Sequence, residues 1–330
     1  MEKVSRKIIG ITMGDPCGIG PEVVLKAMAS KELSHEGPLL IIGSEAVLRE
    51  TAKGLKLPLE PEGRDVEVLD LDNFDLEGLG LRAPSKEAGK ASIEYIFRGI
   101  DLALRGDIGA LVTAPISKEA IRMAGYPYSG HTSILKELTG APRAVMMMLG
   151  GNLRVSFVTI HIPLKEVPAL INTEDILSAI RITTRGLREL FSISEPRLVV
   201  CALNPHAGEG GLMGSEEEEI VLPAVMQAQE EEINCVGPMA SDVAFYKASQ
   251  GEFDAVVSLY HDQGTIPIKL LAFQRGVNLT LGISIVRTSP THGTAFDIAG
   301  KGIADPGSML EAIKVAGHLS RLGRPLVAYY

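Results

Sequence analysis

Short apolar runs that alternate with helical patterns most constrain the fold of this chain. The apolar runs lie at residues 8–13, 39–42, 66–69, 110–112, 144–149, 153–158, 198–202 and 255–259. Helical patterns lie between and after them, at residues 21–29, 86–104, 117–123, 173–190, 215–229 and 307–322. Such alternation is typical of an α/β protein with a largely parallel sheet. We expect a further pair of strands at 278–281 and 284–286, around Gly282.

Three histidines each follow one of these buried runs, at the strand ends where ligands bind in α/β sheets. They are His161, His206 and His261, and a proline or glycine after each is expected to end the strand. Three neutral imidazoles with one open position are typical of a catalytic metal site. Spacings of 45 and 55 residues are too long for a zinc finger, so the fold must assemble such a site. Taken singly, each histidine could instead be a hydrogen-bonded structural residue.

Glycine-rich loops offer further candidate sites. Residues 14–22, GDPCGIGPE, follow the first strand and open a helix, with Pro21 suited to its first position. Backbone N–H groups in such a loop can bind an anion, although a tight turn that only shapes a cleft fits equally well. The glycine-rich residues 208–214 could form a lid, a phosphate nest or a plain connection. The acidic residues 216–219 are expected to be a solvated first helical turn.

Composition excludes several classes of protein. A net charge of −9 disfavours binding to nucleic acid or to anionic membranes. The three cysteines form no Cys-x-x-Cys pair, which disfavours a disulfide framework and a thiolate-bound metal. No apolar stretch is long enough to cross a bilayer, and residues 1–13 hold no signal-peptide core. We therefore expect a cytoplasmic protein.

Several longer motifs resemble those of the 4-hydroxythreonine-4-phosphate dehydrogenase family, from residue 11 to about residue 313. They are TMGDPCGIGPE at 12–22, GHT at 130–132, LNPHAGE at 203–209, YHDQG at 260–264, GVN at 276–278 and RTS at 287–289. The resemblance implies a homodimer in which metal ligands from both subunits meet at the interface. It also implies a divalent metal and the NAD-dependent oxidation, with decarboxylation, of a C4-phosphorylated 3-hydroxy acid.

The resemblance also implies roles for individual residues. His161, His206 and His261 match the metal ligands of the family. The residues that match its substrate contacts are His131, Thr132, Lys269, Asn278 and Arg287. Lys269 is the first candidate for the base that takes the hydroxyl proton, and the alternatives are Asp242 and Asp262. Asp262 could instead orient a neighbouring ligand or be a surface residue. The metal is expected to be zinc, cobalt, manganese or magnesium, and imidazoles favour the first three.

A second resemblance concerns residues 292–306, HGTAFDIAGKGIADP, which look like the cofactor loop of isocitrate and isopropylmalate dehydrogenases. It implies that NAD, or alternatively NADP, binds at His292, Gly293, Thr294, Asp297 and Asp305. Asp305 stands where those enzymes commonly carry asparagine, and the segment could instead be a connection that caps the last helix.

The fold implied by this second resemblance has two lobes that share a mostly parallel, twisted sheet around a central cleft. We expect residues 1–125 and 275–330 to form the cofactor lobe. Residues 126–274 would then form the lobe for metal, substrate and dimerisation.

The predicted substrate is 4-phosphohydroxy-L-threonine, which would give 3-amino-2-oxopropyl phosphate in pyridoxine biosynthesis. The alternatives 4-phospho-D-threonate and 4-phospho-D-erythronate carry a hydroxyl instead of the C2 amino group and would give dihydroxyacetone phosphate. An inactive protein that binds NAD or a phospho-acid is disfavoured because all three histidines, Lys269 and Arg287 are present. A metal-dependent hydrolase or aldolase would leave residues 292–306 without a purpose.

Overall fold

The computed structural model describes residues 7–33 and 36–322. Residues 1–6, part of the segment searched for a signal-peptide core, lie outside the described residues. The chain divides into a first unit, Met1–Ala144 with Ile283–Tyr330, and a second unit, Val145–Gly282. Each break falls later than the predicted limits of residues 125 and 274, because the second unit begins and ends with two strands that pair with each other. The roles predicted for the two lobes stay predictions.

Strands and helices alternate along most of the described chain. The strands are β1 (Ile9–Thr12), β2 (Leu39–Gly43), β3 (Val66–Asp70), β4 (Ala110–Thr113), β5 (Val145–Gly150), β6 (Leu153–Phe157), β7 (Leu198–Cys201), β8 (Cys235–Met239), β9 (Ala255–Ser258), β10 (Val277–Leu281) and β11 (Arg287–Pro290). The helices are α1 (Gly20–Met28), α2 (Glu45–Leu55), α3 (Lys86–Arg105), α4 (Lys118–Met123), α5 (His131–Leu138), α6 (Val167–Leu170), α7 (Thr173–Leu190), α8 (Leu222–Glu230), α9 (Ser241–Ser249), α10 (His261–Ala272) and α11 (Gly307–Arg321).

The first unit contains a parallel sheet with the strand order β3-β2-β1-β4-β11. Its central strands are buried on both faces, as the side chains of Ile9, Ile11 and Leu111 show. Fully buried strands of this kind are expected in parallel sheets covered by helices. Since parallel strands end at the same edge, the loops after β1 and β4 lie at one edge of this sheet.

The second unit contains strands in the order β10-β5-β6-β9-β7-β8. Strands β10, β5 and β6 are antiparallel, whereas β6, β9, β7 and β8 are parallel. An apolar cluster that includes Phe157, Val256 and Ile268 packs α10 against these strands. The parallel strands β6, β7 and β9 are followed by the segments that carry His161, His206 and His261, so all three segments leave the sheet at the same edge.

The predicted α/β class is confirmed, with three local corrections. The strand expected at 284–286 is wrong, because the strand there is β11, which begins at Arg287. The expectation that the glycine after His261 ends the strand is also wrong, because β9 already ends at Ser258 and Gly264 lies inside α10. The sequence patterns do not predict helices α2, α5, α6, α9 and α10 or strand β8. No helix in the described part of the chain is long and apolar enough to span a bilayer.

Candidate active site

Two of the three predicted metal ligands, His161 and His261, lie side by side in the second unit. The neighbouring parallel strands β6 and β9 end beside each other and bring the two rings together, with centroids 5.4 Å apart. Both rings line one concavity with Tyr260 and Asp262. His261 Nδ1 lies 2.6 Å from Asp262 Oδ1, and such a carboxylate fixes the ring while leaving Nε2 available to a ligand.

His206 lies on a separate turn after β7. Its backbone has φ 54°, and that of the next residue, Ala207, has φ 56°. Left-handed φ values at residues other than glycine cost about 1–3 kcal/mol and cluster at functional sites. Among the residues that the structure describes, no three His, Cys, Asp or Glu side chains are arranged to hold a metal ion. The described chain therefore pairs His161 with His261 but does not bring His206 to them.

Glu217 holds the start of the His206 turn. Its Oε1 accepts hydrogen bonds from the backbone N–H groups of Leu203 and Asn204, at 2.8 and 2.7 Å. Its Oε2 accepts a bond from Asn204 Nδ2 at 3.0 Å. Because the Glu217 side chain is buried, the expectation that residues 216–219 form a solvated turn is wrong at this position.

The other predicted residues of the second unit differ in burial. Lys269 and Asp242 are exposed, on α10 and at the start of α9. Because both side chains are exposed, geometry within this unit does not select the base. Asn278 Oδ1 is buried without a hydrogen-bond partner among the described residues, as expected of a group that awaits a ligand.

The first unit holds an uncapped helix start at His131. Helix α5 begins there after Gly130, whose φ is 143°, and no side chain caps its free N–H groups. The N-terminus of a helix in this state favours anions. His131 Nε2 is buried and has no partner in the described part of the chain. Burial and the nearby Arg287 hold the pKa of His131 well below its ordinary value, so the ring is neutral.

Arg287 supplies a buried positive charge to the first unit. It is the first residue of β11 and is 1% exposed. Its Nε and Nη2 donate to Thr113 Oγ1 at the end of β4, at 3.1 and 2.5 Å. Burial lowers the pKa of Arg287 to about 9, so the guanidinium is still charged at neutral pH. A buried cation near a neutral His131 suits an anionic ligand, because no second positive charge has to be held beside it before the ligand binds.

Helix α1 holds the predicted cofactor loop through Glu22 and Lys26. The buried Glu22 carboxylate accepts hydrogen bonds from the N–H groups of Ala304 and Gly302, at 2.8 and 3.3 Å. Lys26 Nζ donates to the carbonyl oxygens of the same two residues and pairs with Glu22 at 2.8 Å. Ile19 N–H donates to Thr294 O at 2.9 Å, so the loop is fixed near both of its ends.

Two predicted cofactor residues behave differently within this loop. His292 Nε2 is buried without a partner among the described residues, and burial lowers the pKa of His292. Asp305 Oδ1 instead accepts a hydrogen bond from Gly307 N–H at the start of α11. This bond ties Asp305 to the start of α11, and the predicted contact of Asp305 with the cofactor stays a prediction.

Sequence reasoning missed two buried polar groups at the end of β1. Thr12 Oγ1 and Asp15 Oδ2 are buried and have no hydrogen-bond partner in the described part of the chain. Asp15 Oδ1 accepts a bond from Cys17 N–H at 2.9 Å, and burial raises the pKa of Asp15 to about 6. The glycine pattern pointed only to the backbone of this loop. The available signal was an aspartate directly after an apolar strand in a glycine-rich turn.

Comparisons with known proteins show what the chain is similar to. A model of the family described as "Pyridoxal phosphate biosynthetic protein PdxA" matches residues 35–316. The 4-hydroxythreonine-4-phosphate dehydrogenase of Desulforapulum autotrophicum is 45% identical over 94% of this chain and 95% of its own length. An Oceanobacillus iheyensis protein, provisionally named D-threonate 4-phosphate dehydrogenase, is 42% identical over 96% of this chain and 98% of its own.

A solved structure gives the same result. The crystal structure of 4-hydroxythreonine-4-phosphate dehydrogenase from Klebsiella pneumoniae is 38% identical, with a TM-score of 0.88. The match covers 97% of this chain and 100% of that one. The predicted family resemblance and the predicted enzyme class, a dehydrogenase acting on a hydroxyl group, are confirmed. The chain belongs to the family of the pyridoxal phosphate biosynthetic protein PdxA.

Proposed function

We propose that this protein oxidises the C3 hydroxyl of 4-phosphohydroxy-L-threonine with NAD and releases the carboxylate as CO₂, giving 3-amino-2-oxopropyl phosphate. The observation that carries the proposal is the buried, charged Arg287 near His131, whose Nε2 has no partner among the described residues and which opens an uncapped helix. The substrate class is supported by the relatives from Desulforapulum autotrophicum and Klebsiella pneumoniae, since both are named for 4-hydroxythreonine 4-phosphate.

His131, Thr132 and Arg287 are proposed to bind the phosphate. The guanidinium offers planar N–H donors that match phosphate oxygens, and the start of α5 adds backbone N–H groups. A neutral His131 with its proton on Nε2 would donate one further hydrogen bond. Together these groups compensate a dianion inside a protein whose net charge is −9.

His161, His206 and His261 are proposed to hold a divalent metal. The donor set fits, because two imidazoles already lie together and Asp262 fixes one of them. A second copy of the chain would supply His206. Imidazole ligands favour zinc, cobalt or manganese over magnesium. When bound, the metal supplies Lewis-acid chemistry that favours loss of the hydroxyl proton.

Lys269 is proposed to take that proton, with Asp242 as the alternative. Asp262 is the weaker candidate because its Oδ1 is already engaged with His261. Asn278 is proposed to orient the substrate through its Oδ1, which has no hydrogen-bond partner within residues 7–33 and 36–322. NAD is proposed to bind at residues 292–306 through His292, Gly293, Thr294 and Asp297, with Asp305 holding the loop onto α11.

A homodimer that works in the cytoplasm completes the proposal. Ile266 and Leu270 on α10 and Phe273 directly after it recur at helical spacing and are 57%, 82% and 73% exposed. Exposed apolar residues in such a stripe mark an interaction surface. The same helix carries His261 and Lys269, so a second copy seated there would cover the predicted metal ligands and the base.

The first test is NADH formation by metal-reconstituted protein with 4-phosphohydroxy-L-threonine and 4-phospho-D-threonate offered separately. A higher kcat/KM for the amino acid supports the proposal. A higher value for the threonate would assign the protein to the alternative substrate, and activity with neither would reject the substrate class.

A mixing experiment tests the shared metal site. H161A and H206A are each expected to be inactive as homodimers. In a heterodimer, one of the two sites has all of its histidines, so re-equilibrated mixtures should recover about a quarter of wild-type activity. No recovery, in dimers shown to exchange subunits, would contradict a site shared between copies.

A further inference from the structure

Gln263 connects the segments that carry two predicted metal ligands and a candidate base. Its Oε1 accepts a hydrogen bond from Leu259 N–H at 2.7 Å, two residues before His261. Its Nε2 donates to Ala202 O at 2.7 Å, four residues before His206. The same Nε2 donates to Ser241 Oγ at 2.9 Å, next to Asp242.

The side-chain amide of Gln263 is buried, and its oxygen and both of its N–H groups form hydrogen bonds. The residue is 8% exposed, and both hydrogens of Nε2 have acceptors. A buried polar network whose members are all satisfied rigidifies the segments it joins. The loss of one member would leave buried backbone groups without hydrogen-bond partners.

Both segments have local reasons to need such support. Helix α10 has no side-chain cap at Tyr260, and Gln263 instead reaches back from its first turn to the end of β9. The His206 turn contains left-handed backbone at residues other than glycine. Strained backbone of this kind persists only when surrounding contacts hold it.

We propose that Gln263 is a positioning residue that holds the His206 turn and the start of α10, two segments that contribute to different metal sites when a second copy supplies His206. The inference rests on the metal site of the proposed function. It assigns no contact between Gln263 and metal or substrate. It accounts for an amide at this position, because the site needs one acceptor for Leu259 N–H and two donors for Ala202 O and Ser241 Oγ.

The test measures Co²⁺ binding to metal-free protein by calorimetry and by the visible absorption spectrum of the bound ion. Gln263→Met keeps the length of the side chain but removes all three hydrogen bonds. Its Co²⁺ affinity should fall about 10- to 100-fold, as for other groups that orient metal ligands. Its spectrum should move towards that of H206A. Gln229→Met is the matched control, since Gln229 also donates to a backbone carbonyl, Cys235 O, but is exposed and lies outside the site.

Gln263→Glu covers the case in which Gln263→Met fails to fold. A carboxylate keeps an acceptor for Leu259 N–H and removes the donor to Ala202 O, so the loss of affinity should again exceed that of the control. Folded Gln263 variants with wild-type Co²⁺ affinity and spectrum would overturn the inference while leaving the metal site intact. Wild-type protein that binds no Co²⁺ would instead reject the proposed metal site, and the inference with it.

Discussion

Replacing Arg287 with methionine should separate its role in binding from its effect on folding. Arg287 is 1% exposed, and burial lowers its pKa from 12.5 to about 9. The difference of about 3.5 corresponds to about 5 kcal/mol of penalty on the charged form in the folded state. Below pH 9 the guanidinium is charged in both the folded and the unfolded state, so the folded protein carries this whole penalty at neutral pH.

The expected effect of R287M on stability is a gain. The substitution removes the penalty of about 5 kcal/mol and leaves Thr113 Oγ1 without its two guanidinium contacts, at a cost of about 1–3 kcal/mol. From these two contributions we expect the free energy of unfolding to rise by about 2–4 kcal/mol. Replacing a buried ionic group with an apolar one of similar size is often neutral or stabilising, which agrees with this sign.

The expected effect of R287M on catalysis is a large loss. Removing one partner of a buried charge pair costs about 2–5 kcal/mol, equivalent to a fall of about 30- to 5,000-fold in kcat/KM. Urea unfolding without ligands gives the stability, and NADH formation gives kcat/KM.

Arg154→Met is the matched control for R287M. Burial also lowers the pKa of Arg154, which donates to Asp254 O at 3.2 Å and lies over the ring of Phe191. It belongs to none of the predicted sites, so its kcat/KM should be unchanged. An R287M protein that is less stable than wild type yet keeps its kcat/KM would refute the reasoning and make Arg287 a structural residue.

Three further changes have expected outcomes, and Glu45→Gln serves as the control for the second of them, Glu22→Gln. At pH 8 the free energy of unfolding of D15N should exceed that of the wild type by up to about 3 kcal/mol, and this difference should disappear near pH 4. The sign follows because burial raises the pKa of the Asp15 carboxyl from 3.8 to about 6. Below pH 3.8 the carboxyl is protonated in both states and carries no penalty, whereas above pH 6 the folded protein holds a buried charge that asparagine lacks. A stability difference that does not change with pH would contradict this reasoning. Glu22→Gln should weaken NAD binding, measured by calorimetry, and lower the free energy of unfolding by about 3 kcal/mol, because it removes one partner of a buried ion pair. Glu45→Gln, in an exposed pair with Arg49, should change stability by about 0.5 kcal/mol or less. Removal of the metal with a chelator should abolish turnover, and added Zn²⁺, Co²⁺ or Mn²⁺ should restore the turnover of the wild type but not that of H161A. Turnover of H161A after metal addition would contradict the metal assignment.

The strands were predictable because most of them are buried on both faces and read as continuous apolar runs. Strands β1, β7 and β9 match their predicted runs closely. Helix α10 was missed because it contains Gly264 and Pro267 and exposes Leu270. Gly264 is there for packing, since a Cβ at this position would lie 2.5 Å from Phe157 Cε1. A glycine required by a neighbouring strand cannot be told from a turn glycine in one sequence.

The candidate site was predictable only in part, for a similar reason. The rule that ligands bind at strand ends placed His161 and His261 correctly at one sheet edge, because β6 and β9 are neighbours. The burial of Glu217 was not predictable, because the sequence of an acidic run does not show whether a given glutamate is exposed or accepts hydrogen bonds from a neighbouring turn. The place of His206 in the metal site stays a prediction, because it depends on what a second copy contributes.

Buried polar atoms that lack partners among the described residues link the structure to the proposed chemistry. His131 Nε2, Asn278 Oδ1 and His292 Nε2 are in this state, and the sequence had assigned all three residues to substrate or cofactor. Each such atom costs about 1–3 kcal/mol in the free protein, so it is tolerated where a ligand supplies the missing hydrogen bond. Thr12 Oγ1 and Asp15 Oδ2 are in the same state, and Asp15 precedes the segment whose Ile19 N–H binds the predicted cofactor loop. The burial of these two atoms without partners among the described residues and their position at the end of β1 together make Thr12 and Asp15 candidates for ligand contact in the first unit.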